Sequence, residues 1–65
     1  MIEVWLTKKN IAVRCMIVNE DESTETVMLQ TTNIRGAMRQ VTRIFNNPIG
    51  RWRKEAVNEY SRVFR

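Results

Sequence analysis

The chain has 65 residues, of which 43% are hydrophobic and 28% charged, with one cysteine, no histidine and a formal net charge of +4. A chain this short cannot divide its apolar residues between two cores, so residues 1–65 read as a single domain. The lone Cys15 excludes an intramolecular disulfide, and the lack of histidine excludes zinc sites of the common Cys/His type.

From Met1 to Thr7 the chain alternates, with Ile2, Val4 and Leu6 on one side and Glu3, Trp5 and Thr7 on the other. Period two with β-branched and aromatic content predicts a strand. Lys8, Lys9 and Asn10 form a polar break in which asparagine tolerates a left-handed backbone. A second strand is expected over Ile11 to Val18, a charged turn over Asn19 to Ser23, and a third strand over Thr24 to Thr31. Connections this short favour an antiparallel three-stranded meander.

At Thr32 and Asn33 the pattern changes, since either side chain can cap a helix by accepting a free backbone N–H. Ile34, Met38, Val41 and Phe45 recur at helical spacing, flanked by Ala37 and Ile44. Gly36 is expected to let this helix lie close to the sheet. Asn46, Asn47 and Pro48 end it, because the residue before proline is pushed out of the helical region. In the tail from Ile49 to Arg65, Trp52, Ala56, Tyr60, Val63 and Phe64 fit a helical stripe, with Glu55 and Glu59 placed to pair with basic neighbours. The expected fold is therefore α+β: a three-stranded meander, one amphipathic helix on it, and a C-terminal helix, with a closing strand as the competing reading. The second face of the sheet, carrying Trp5, Met16, Val18 and Met28, is too apolar to be left wet. Either the C-terminal element or a partner is expected to cover it.

A domain of this size buries only about 60% of the surface of its unfolded chain, so its stability is marginal. With disulfide and zinc excluded, a second subunit is the remaining compensation, and a homodimer is expected. The apolar run at Met1 to Leu6 is too short for a signal peptide, and nothing approaches the roughly 20 apolar residues of a membrane span. These features point to a reducing cytoplasm, with no membrane partner and no cofactor.

Charge is divided along the chain. Residues 1–25 carry three basic and five acidic side chains, whereas residues 26–65 carry eight and two. No acidic residue lies between Val27 and Lys54. A localised positive field of this kind attracts phosphates or acidic protein surfaces.

Enzyme chemistry finds little support. Histidine, the commonest general acid–base, is absent, and most carboxylates crowd into the 20–25 turn, which reads as a solvated loop. Cys15 sits mid-strand on the expected core face with no histidine to activate it, so a buried structural thiol accounts for it. Gly36 and Gly50, the only glycines, belong to no phosphate-binding loop. The chain is not expected to be an enzyme.

The arginines are more informative. Arg35, Arg39 and Arg43 follow at four-residue spacing and form one ridge on the helix, with no carboxylate interleaved. Such a ridge can be a plain solvated face, but the planar guanidinium fork suits phosphates and base edges better than an ammonium does. Arg51, Trp52, Arg53 and Lys54 form a second basic cluster after the turn. An exposed Trp52 would stack on a base, though core packing is the commoner fate of such a residue. Arg14 interrupts the Trp5/Met16/Met28 face and either reads a groove from the sheet or pairs with Glu3 or Glu25.

Residues 26–65, read as strand, helix, turn and helix, resemble the ribbon-helix-helix repressors, which are obligate dimers that lay paired strands into the major groove. Here a hairpin precedes the strand, and its outward residues Thr26, Met28 and Gln30 are not basic. Residues 2–46 resemble the small sheet-plus-helix DNA-binding domains of integrases and plant transcription factors. No diagnostic motif of either group is present, so no residue roles follow from them.

The expected function is that of a small basic accessory or regulator that binds nucleic acid, DNA ahead of RNA, through Arg35, Arg39, Arg43, Arg51, Arg53, Lys54 and Arg14. The alternative is a protein-binding module, a small regulator or inhibitor of the phage or plasmid type, whose contact residues would centre on Trp5 and Trp52.

Overall fold

A computed structural model describes residues 1–65. The elements run β1 (Ile2–Lys9), β2 (Ala12–Val18), β3 (Thr24–Leu29), α1 (Ile34–Phe45), β4 (Pro48–Ala56) and β5 (Glu59–Phe64). The strands form one antiparallel sheet in the order β3-β2-β1-β5-β4. The expected meander, β1 to β3, is present at one side of this sheet. The expected C-terminal helix is not, and neither is a single closing strand: residues 48–64 form a hairpin that adds two strands. The tail's apolar residues lie four apart, a spacing that places them on one face of a strand as well as of a helix. The hairpin is favoured because β5 fills the free edge of β1, pairing Ile2 with Phe64 and Leu6 with Tyr60. Asn58, at φ 61°, turns the chain between the two strands.

Helix α1 crosses one face of the sheet on its way from β3 at one edge to β4 at the other. Its start is set by Asn33, whose Oδ1 accepts the Arg35 N–H at 2.9 Å. It stops at Asn46, which adopts a left-handed backbone and donates its N–H to the Thr42 carbonyl. Gly36 does not bring the helix to the sheet as expected. A Cβ there would meet Thr31 Oγ1 and Asn33 Cβ, so the glycine fits against the loop that caps the helix.

The core lies between α1 and the sheet. Val4, Leu6, Val13, Cys15 and Phe64 from the strands meet Ala37 and Val41 from the helix, and all seven are buried. Full burial of a side chain the size of Val or Leu stabilises by about 1.5–3 kcal/mol, so these few contacts carry most of the fold. Burial also pushes the Cys15 thiol pKa up, leaving it protonated and unreactive.

The other face of the sheet carries no element. Trp5 stands at its centre, paired with Met16 on one side and Ser61 on the other, and its indole N–H donates to the Glu3 carboxylate. The C-terminal residues extend the sheet sideways and leave this face open, so of the two covers expected for it the C-terminal element is not the one.

Candidate nucleic-acid interface

The helical ridge and the hairpin build one cleft. Along α1, residues four apart are spaced about 6 Å and fall on one flank, which sets Arg35, Arg39 and Arg43 in a row beside the Ala37/Val41 seam. The hairpin rises next to that flank. Trp52 of β4 and Arg62 of β5 form the opposite wall, and Met38, Thr42 and Asn46 line the floor and one end of this broad, open depression of about 660 Å³. Four of the eight lining residues are arginine and none is acidic, so nothing within the cleft neutralises its positive potential.

The two walls differ in how firmly their cations are held. Arg35, Arg39 and Arg43 are exposed, and their side chains take part in no ion pair. Arg62 is fixed: its Nε and Nη2 donate to the Gly50 carbonyl at 3.0 and 2.7 Å, and its Nη1 donates to Thr42 Oγ1 at 3.3 Å. Its guanidinium also lies 5.9 Å from the Trp52 ring and 5.8 Å from the Phe64 ring, within cation–π range. Gly50 presents its carbonyl from a backbone at φ 72°, where the β4 pairing shifts register. Trp52 packs edge-on against Phe64 at 6.1 Å and rests on the core. It is a wall of the cleft and not a free stacking platform.

The remaining residues expected at the interface are scattered. Strand alternation splits the Arg51–Lys54 cluster: Lys54 pairs with Tyr60, on the helix side with Trp52, whereas Arg53 pairs with Ser61 on the open face. There Arg53 and Arg51 share a hollow with Glu3, and Arg53 reaches Glu55 at 3.6 Å. Arg14 is also on the open face, between Thr7 and Met28, and forms neither of the ion pairs weighed for it. Trp5 belongs to the same face. The seven expected basic residues therefore do not form one surface. Only Arg35, Arg39 and Arg43 converge with Trp52.

Arg62 and Thr42 were given no role by the sequence. Under a helical reading of the tail, nothing links Arg62 to Trp52. Only the strand reading sets them side by side, and the signal for it was Asn58, an asparagine at the turn of a two-residue connection.

No group of three or more His, Cys, Asp or Glu residues is placed to hold a metal ion, and no helix is long and apolar enough to cross a membrane. No known family model matches the chain, and neither the curated proteins nor the solved structures give a match.

Proposed function

We propose that this protein binds nucleic acid, DNA ahead of RNA, by seating a run of backbone phosphates in the arginine cleft. The observation that supports this is the convergence of Arg35, Arg39, Arg43 and Arg62 on one concave surface with no carboxylate in its lining. Guanidinium groups bind phosphate oxygens bidentately, and the ridge offers three of them free of any internal partner. Arg62, locked by Gly50 and Thr42, supplies a fourth charge that needs no ordering on binding. On this reading the protein is a regulator or accessory factor of the reducing cytoplasm and not a catalyst.

Fluorescence anisotropy of labelled duplex and single-stranded oligonucleotides at about 50 and 200 mM salt tests this reading, because counterion release makes affinity fall steeply across that range. Three or four phosphate contacts predict a slope of log affinity against log salt of roughly −3 to −4. Replacing Arg35, Arg39 and Arg43 with alanine should flatten that slope by about 2.7. Affinity that survives the triple replacement would reject the cleft.

A second reading is favoured by one observation, the open sheet face with Trp5 at its centre and Met28 half exposed beside Arg14. An aromatic residue flanked by arginine is the composition of a protein-binding hot spot. In that reading the open face docks on a protein partner, and no oligonucleotide binds even at low salt.

A further inference from the structure

The two edges of the sheet are built differently. At the β4 edge several devices that discourage strand pairing are present: Pro48 at its start, Gly50 at φ 72°, register shifts at Ile49/Arg53 and Lys54/Ala56, and three basic side chains. The β3 edge has only one, the charge of Glu25 opposite Ile17. Thr24 to Leu29 run in unbroken register against β2, with no proline, lysine or bulge. Val27 and Met28 leave 48% and 52% of their surface in water. A regular edge with no proline, lysine or bulge and with Val27 and Met28 exposed is a template for another strand.

We propose that the β3 edge is occupied by the β3 edge of a second copy of this chain, paired antiparallel about a two-fold axis at Val27. That register sets Val27 against the partner's Val27, Thr26 against the partner's Met28 and Glu25 against the partner's Leu29. It meets apolar with apolar at the centre and opposes no like charges.

Charge complementarity argues for this occupant. In this register the acidic turn of one copy, Glu20 to Glu22, lies toward the partner's segment from Thr32 to Ile34, next to Arg35. That segment opens α1, whose first turn contains Arg35 and no acidic residue. A helix N-terminus carries partial positive charge, which the neighbouring carboxylates offset. The contact is isologous, so it closes as a dimer and does not propagate. The product is a ten-stranded sheet with both helices, and hence both arginine clefts, on the same side. The pairing stands independently of what the clefts bind.

Sedimentation equilibrium over a wide range of concentrations, combined with cysteine cross-linking, tests the interface. The wild-type chain should sediment at twice the mass of one chain. Val27→Lys, which opposes two ammonium groups across the axis, should be folded by circular dichroism and monomeric. Val27→Cys should form a covalent dimer with a short bis-maleimide, because directly opposed Cβ atoms lie about 4.5–5.5 Å apart, too far for an unstrained disulfide but within reach of such a linker. Buried Cys15 leaves the wild type without this product. Wild-type protein that stays monomeric would overturn the proposal and leave the edge to an extended segment of another protein. A dimer that Val27→Cys fails to cross-link, or that a folded Val27→Lys retains, would overturn it equally. If Val27→Lys does not fold, the cross-link alone decides.

Discussion

The guanidinium of Arg62 donates two hydrogen bonds to the carbonyl of Gly50, at 3.0 and 2.7 Å, across the β4–β5 hairpin. A third, to Thr42 Oγ1, ties the same group to α1. One side chain thus joins helix and hairpin at the wall of the cleft. Arg62→Met should lower stability by about 1 kcal/mol, since these bonds are partly solvated, and Arg62→Lys should recover little because an ammonium lacks the fork. Gly50→Ala should cost about 1 kcal/mol from its left-handed backbone alone, as an added Cβ meets nothing within 4 Å. Urea unfolding measures all three. A neutral Gly50→Ala would show that the backbone there relaxes.

If the cleft holds phosphates, Arg39→Ala should weaken oligonucleotide binding and reduce the salt slope by about 0.9. Arg14→Ala should do neither, because Arg14 lies on the opposite face of the sheet. Equal effects from the two replacements, measured by anisotropy, would mean that binding is spread over the whole molecule.

Phe64 is fully buried and packs on the Phe45 ring at 5.3 Å and on the Trp52 ring at 6.1 Å. Phe64→Ala should remove about 3–5 kcal/mol, comparable to the whole stability of a domain this small. The variant is therefore expected to be largely unfolded by circular dichroism at room temperature.

The carboxylate of Asp21 accepts both the Ser23 N–H at 3.0 Å and its hydroxyl at 2.6 Å, and the hydroxyl bond first, then the backbone bond, hold its pKa below the usual aspartate value. A depressed folded-state pKa adds stability above the unfolded value, and that increment is lost as pH falls through the lowered one. NMR titration of Asp21 should show the depression. In Ser23→Ala it should shrink, since the hydroxyl donor is gone.

Cys15 is buried and its thiol pKa is raised by burial. It should react with a thiol reagent only when the chain opens, so its labelling rate should rise with denaturant in step with unfolding. Prompt labelling in buffer would show that the β1–β2–β3 side opens on its own.

The first 45 residues were legible because each element carries a local signal: alternation in β1 and β2, a capping asparagine before α1, a proline after it. The tail was not, because Trp52, Ala56, Tyr60 and Phe64 satisfy both periods and the deciding contacts are with β1, some 50 residues away in sequence. Its local clue was present in Asn58. Three of the four non-glycine residues with positive φ are asparagines, Asn10, Asn46 and Asn58, and each marks a chain reversal or a helix end. The cleft was half legible for the same reason: the helix supplied one wall by spacing alone, while the other wall required a strand pairing that no local pattern announces.

Strand β1 lies between β2 and β5, and the Thr7 hydroxyl meets the Glu59 carboxylate 52 residues further along the chain. During synthesis, therefore, β1 can form a hairpin with β2 almost at once but must wait for residues beyond 59 before its other edge is satisfied. The nascent protein passes through a stage in which the β5-facing edge of β1 is unpaired along one side. Folding should be slow for a chain of this length, as non-local pairing dictates, and a slowed or truncated translation product would be held where aggregation is easiest.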